Sequence, residues 1–131
     1  MTFFIKKNSS LPLLIYELSD TILNKYNITD NMLENSAITF SMIDTETGIY
    51  KVANVPATLN IETPNKNFLE FKKYNIYYQF RTKDTNKVGN YESEFVVDFL
   101  GETCNIGKLK LPVNDKIIVV VSDTITKTDV I

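Results

Sequence analysis

From residue 37 to residue 43 apolar and polar positions alternate. Ile38, Phe40 and Met42 fall on one side of an extended chain, Thr39 and Ser41 on the other. That period of two marks a half-buried strand. Residues 44–48 supply a turn whose Gly48 tolerates a left-handed backbone, and residues 49–53 return as the partner strand. The alternation recurs at 74–80, with Tyr74, Ile76, Tyr78 and Phe80 on one face. It recurs again at 91–99, where Tyr91, Phe95, Val97 and Phe99 oppose Glu92, Glu94 and Asp98. Shorter runs at 3–5, 58–62, 108–111 and 116–122 are strand-like and closed by Gly, Pro, Asn, Asp or Ser. Residues 11–18 are extended and apolar, and Pro12 places their start at an edge. Ser19 and Asp20 cap a helical turn over 21–26, because their side-chain oxygens accept orphan backbone donors. Asp30 caps a second turn reaching Asn35, with Met32 and Leu33 tucked inward. Short, closely spaced strands with so little helix predict an all-β antiparallel β-sandwich carrying one or two short helical turns. Phe40, Met42, Tyr78, Phe80, Phe95 and Val97 are its expected core.

Composition narrows the chemistry. A chain of 131 residues that is 44% apolar and 23% charged is expected to form one domain over 1–131 with a core of its own. Residues 123–131, rich in threonine, read as a C-terminal arm. The single cysteine, Cys104, rules out an internal disulfide. Histidine is absent, which removes Ser-His and Cys-His catalysis and the commonest zinc ligand. The net charge of −2, with lysines and acids mixed and no basic stripe, argues against nucleic-acid binding. No apolar run approaches the ~18 residues of a membrane span. At the N-terminus the charges follow the apolar residues, the reverse of a signal peptide. Synthesis in a reducing cytoplasm is the expectation.

Several residue groups invite a chemical role. Glu92, Glu94 and Asp98 share a strand face and would suit acid/base work on a glycoside; a solvated sheet face accounts for them better. Asp44 with Glu46, and Asp84 with Asn86, offer oxygen ligands for calcium, yet neither matches a calcium-loop spacing, and turn chemistry explains both aspartates. Tyr74, Tyr77 and Tyr78 suggest a sugar platform, against which stands ordinary packing, Tyr74 and Tyr78 toward the core and Tyr77 on the opposite face. Cys104 lacks a neighbourhood that would lower its pKa. The residues therefore nominate no catalytic, cofactor-binding or metal-binding site, and no enzyme.

The order of elements resembles the N-terminal immunoglobulin-like domain of phage baseplate upper proteins of the BppU type and related virion modules. The resemblance is carried over residues 3–122 by a short first strand, an apolar segment, the turn at Ile28, Thr29 and Asp30, the strand from Ala37 to Asp44 with its Gly turn, and the Gly89-x-Tyr91 strand. It implies an immunoglobulin-like sandwich and a non-enzymatic bacteriophage virion protein. Such a protein would join other virion structural proteins, as a homo-oligomer in a symmetric assembly, with no cofactor, nucleic acid or membrane partner. Because the chain ends after the last strand, the expected role is a free-standing adaptor, decoration or ring subunit of tail, baseplate or head surface. The alternative expectation is a carbohydrate-binding β-sandwich module that recognises host or environmental glycans.

Overall fold

The computed structural model of the chain describes residues 1–63, 72–99 and 107–123. The strands are β1 (Thr2–Lys6), β2 (Leu14–Leu18), β3 (Ala37–Asp44), β4 (Tyr50–Pro56), β5 (Thr58–Glu62), β6 (Lys73–Tyr78), β7 (Gly89–Asp98), β8 (Lys108–Leu111) and β9 (Ile117–Ser122). Helices α1 (Asp20–Lys25) and α2 (Asp30–Glu34) link β2 to β3, and a 3-10 turn (Thr82–Asp84) links β6 to β7. One sheet has the order β1-β9-β7-β3-β4, with β8 also on β7, and the other has the order β2-β6-β5. In sandwich lettering the small sheet is B-E-D and the large one C′-C-F-G, the arrangement of an immunoglobulin-like fold. One pairing departs from an antiparallel design: β1 runs parallel to β9, Thr2 opposite Ile118 and Lys6 opposite Ser122.

The sheets meet through aromatic rings. Phe40 of β3 stacks on Tyr78 of β6 at 4.4 Å, and Phe95 of β7 lies 6.4 Å from Tyr16 of β2. All six residues expected in the core are buried there, with Tyr91, Ile76, Leu14 and Leu111. At the start of β7 the Tyr91 hydroxyl donates to the Lys87 carbonyl at 2.7 Å. That bond pins the connection between the sheets as a tyrosine corner does.

Several boundaries differ from the sequence reading, each for a local reason. β2 begins at Leu14 rather than Leu11, because Pro12 has no N–H for a ladder and the preceding residues carry the chain from one sheet to the other. Phe80 lies beyond the end of β6 yet is buried, edge-on to Phe40 and Tyr78. Tyr74 is only half-buried. The cap of α2 is Thr29, not Asp30: its hydroxyl accepts from the Met32 N–H at 3.2 Å. α1 is capped by Ser19, as read.

The β3–β4 hairpin closes as expected over Asp44 and Gly48, the glycine at φ +70°. Its second strand runs on to Pro56 because it is bulged. Phe40 pairs with Val55 and Met42 with Val52, so Ala53 and Asn54 together face Ser41. Asn54 takes φ +50°. The Ser41 hydroxyl accepts from the Asn54 N–H at 2.9 Å and donates to Asn54 Oδ1 at 3.2 Å, which satisfies the bulge. A second irregularity leaves Lys51 unopposed between the Val52 and Tyr50 pairs. β8 and β9 lie end to end along β7. Leu111 faces Phe95 and Ile117 faces Ser93, so residues 112–116 leave the ladder as a loop opposite Glu94 alone.

Replacing Phe40 by Ala should lower the unfolding free energy by about 3–5 kcal/mol, because the rings of Tyr78, Phe80 and Phe95 all lie within 5.8 Å of it. Phe4→Ala, on an exposed face, should cost under about 0.5 kcal/mol. Urea unfolding of the two variants measures this; equal losses would contradict the inward assignment of the Phe40 face.

Candidate functional site

Alternation along β7 sends Tyr91, Ser93, Phe95 and Val97 inward and Glu92, Glu94, Val96 and Asp98 outward. The three carboxylates therefore line the outer face of the large sheet. Lys116 Nζ stands 3.8 Å from Glu92 and Lys108 Nζ 4.0 Å from Asp98, exposed pairs of small energetic weight. Glu92 and Glu94 border a shallow depression of about 170 Å³ with Ser41, Ile43 and Tyr50. The carboxylates sit among lysines on an open face, which is a solvated surface and no enclosed acid/base pair.

The turn aspartates are occupied by their own loops. Asp44 Oδ1 accepts from the Glu46 N–H at 2.8 Å and the Thr47 N–H at 3.4 Å. The Glu46 amide above all holds this carboxyl below its ordinary value. Asn86 Oδ1 accepts from Lys51 Nζ. Asp84 is 1% exposed and fully engaged: it accepts from the Tyr78 hydroxyl at 2.6 Å, the Arg81 backbone N–H at 2.9 Å and the Arg81 guanidinium at 2.8 Å. Burial alone would push its carboxyl up. The hydrogen bonds from Arg81 and Tyr78 and the guanidinium charge outweigh that and leave it lowered. Among the described residues no group of three or more His, Cys, Asp or Glu side chains is placed to hold a metal ion.

The three tyrosines are scattered rather than aligned. Tyr78 is buried against Phe40, and burial, then Asp84, raises its pKa. The Tyr74 hydroxyl donates to Asp30, which Lys72 also contacts at 2.7 Å. Burial, followed by that bond, pushes Tyr74 up to about 12. Tyr77 is half-buried on the opposite face. Cys104 and residues 124–131 of the arm lie outside the described residues.

Two surface features were not read from the sequence. A cleft of about 330 Å³ opens between α1 and the 112–116 loop, where Tyr16 and Tyr26 meet Lys25, Asn114 and Asp115. Its walls are nearly ninety residues apart, so no local pattern announces it. The other feature is a row across the large sheet. Ile118 pairs with Glu92, Glu92 with Ile43, and Ile43 with Tyr50, and Phe4 pairs with Val120 in the next row. Phe4 is 66% exposed and Tyr50 62%. The outer face of the large sheet is thus apolar at both ends and acidic in the middle.

Asp84→Ala should cost about 1–3 kcal/mol, because it strands the Tyr78 hydroxyl and the Arg81 N–H. The partly exposed guanidinium stays wet and keeps the loss below that of a wholly buried pair. The lowered carboxyls of Asp84, Asp44 and Asp30 contribute stability that is present above the unfolded value of about 3.9 and lost as pH falls through the native ones. The urea midpoint should therefore drop below about pH 4, and less steeply in Asp84→Ala; a midpoint that rises on acidification would contradict the network. Compared with family models, with curated proteins and with solved structures, the chain finds no match in any of the three.

Proposed function

We propose that this chain is a structural subunit of a bacteriophage particle, in the tail, baseplate or head surface, and that it works by protein–protein contact and not by catalysis. Fold by itself assigns no function. The reading rests on the baseplate-like order of motifs and on one observation about the surface: the outer face of the large sheet leaves Phe4, Tyr50, Ile43, Ile118 and Val120 open to contact. Exposed apolar side chains at the two ends of that face offer contact points. Of the polar groups that invited chemistry, Asp44 and Asp84 hold their own turns, Tyr74 and Tyr78 donate to Asp30 and Asp84, and Glu92 and Asp98 stand beside lysines. A subunit of this size offers small contacts, and a symmetric particle multiplies them. The partners in this reading are other virion proteins and further copies of the chain, and its place is the virion.

A second reading, a carbohydrate-binding module, is favoured by the cleft between α1 and residues 112–116. There Tyr16 and Tyr26 lie beside Asn114, Asp115 and Thr21, apolar surface with convergent polar groups as small-ligand sites have.

Particles purified from the phage that encodes the chain should contain it in a fixed ratio to the major structural proteins, by quantitative mass spectrometry. Tyr50→Glu should leave the fold intact and reduce incorporation severalfold. Absence of the intact chain from purified particles would end the virion reading, and binding on a glycan array that Tyr26→Ala abolishes would replace it with the second.

A further inference from the structure

A sheet edge offers unpaired backbone groups, and soluble proteins blunt such edges with bulges, prolines or charges. Among its described residues the sandwich has five edge strands, β1, β4 and β8 in the large sheet and β2 and β5 in the small one, and four are blunted, β8 by its length of four residues and its two lysines. β4 carries two irregularities, with Asn54 at φ +50°, and ends on Pro56. β5 turns Thr58, Asn60 and Glu62 outward. β2 follows Pro12 closely and carries exposed Glu17. β1 has only one of these devices, Lys6 at its end. It pairs with β9 in unbroken register over Thr2, Phe3, Phe4, Ile5 and Lys6, and it has no proline or bulge and no charge before Lys6.

Hydrogen-bond parity shows which groups its free side presents. The Met1 carbonyl accepts from the Ile118 N–H and the Lys7 N–H donates to the Ser122 carbonyl. Successive residues of a strand direct their backbone groups to opposite sides, so the odd-numbered residues bond β9. Thr2, Phe4 and Lys6 therefore point their N–H and C=O groups away from the sheet, toward a side where no described strand lies. Among the described residues only the Lys6 carbonyl has a backbone partner there, the Ser9 N–H at 3.1 Å.

We propose that β1 is a docking strand for a second copy of this chain, the two β1 edges pairing antiparallel about Phe4 across a two-fold axis. The proposal supplies a partner for the contact role above and rests on that reading. Antiparallel pairing about Phe4 is the register that uses all three outward residues: Phe4 faces its own equivalent, and Thr2 faces Lys6 of the other copy. The arrangement is self-complementary, as a two-fold contact must be. It sets two Phe4 rings, each 66% exposed in the monomer, side by side as a cross-strand aromatic pair. Leu11, 61% exposed, and Pro12 flank the strand around a depression of about 160 Å³ shared with Phe4, which adds apolar contact beside the ladder. The charges run in opposite order along the two strands. Lys6 and Lys7 of one copy come to the end of the other where Asp115 holds the Met1 ammonium at 3.1 Å. One five-residue edge with two apolar side chains buries less than the ~1,200 Å² of a standard interface. The pairing is accordingly weak in isolation and effective only when repeated.

Sedimentation velocity of the full chain from about 1 µM to about 1 mM reads the pairing directly. The wild type should pass from monomer to dimer across that range. Phe4→Pro removes an outward N–H from an edge position where proline is tolerated; Phe4→Lys keeps the backbone and adds a charge. Both should remain monomeric at the highest concentration with an unchanged urea midpoint, and Phe4→Lys alone carries the test if the proline variant unfolds. Deleting residues 124–131 should leave the dimer intact. A wild type that stays monomeric overturns the proposal, as does a dimer that persists in Phe4→Lys, or one lost only on deleting 124–131, which would make that segment the occupant. A monomer in solution that is still found in particles removes the β1 pairing alone, whereas a dimer absent from particles removes the virion reading alone.

Discussion

Phe40 and Tyr78 lie face to face 4.4 Å apart, one from each sheet, and the rest of the sandwich is arranged around that contact. Phe95 packs beside Phe40 from the neighbouring strand at 5.1 Å and Phe80 meets it edge-on at 5.8 Å. Each ring buries enough apolar surface to contribute about 2–3 kcal/mol by transfer alone, and each favourable ring pair adds about 0.5–1.5 kcal/mol. The Tyr78 ring has a polar end that cannot be left alone in such a place. Its hydroxyl reaches Asp84, Asp84 gathers Arg81, and the 3-10 turn forms around the carboxylate. The aromatic contact between sheets thus sets the shape of the loop that returns the chain to β7.

The parts of this fold that were legible in the sequence are those written by short-range alternation. β7 keeps strict period two, and β3 keeps it through Ile38, Phe40 and Met42, so these inward residues were read correctly; Ser41, read onto the opposite face, is buried as well, against Asn54 of the bulge. β4 was read short because two irregularities shift its phase, and no local pattern distinguishes a bulge from a strand end. The parallel pairing of β1 with β9 joins residues more than a hundred positions apart, a contact that local propensity does not encode. The cap of α2 was placed one residue late: Thr29 and Asp30 are both good caps, and Lys72 and Tyr74, far along the chain, draw the aspartate away. The Asp84 network had a faint signal in the Arg81 three residues before it. Its burial depends on Tyr78, which the sequence placed in the core without showing where the hydroxyl would point.

The same division holds for the surface. That Glu92, Glu94 and Asp98 face solvent followed from alternation, and the lysines beside them complete an ordinary charged sheet face. The row through Glu92 crosses four strands, and only the assembled register brings Ile118, Ile43 and Tyr50 into line with it. Asp44, Asp84 and Asp115 accept from backbone N–H groups of their own turns. Phe4 and Tyr50 are exposed at opposite edges of the large sheet's outer face, and Leu11, Ile15, Ile49, Val88 and Val113 are exposed elsewhere. The contact role proposed above draws on Phe4 and Tyr50.

A reconstruction of the intact phage particle by electron cryo-microscopy tests that claim most directly. The account predicts a sandwich-shaped density repeated by the symmetry of the particle, with Phe4, Tyr50 and Ile118 buried against a neighbouring subunit. A particle in which this sandwich is present but its large sheet faces solvent, with all its contacts made elsewhere, would contradict it.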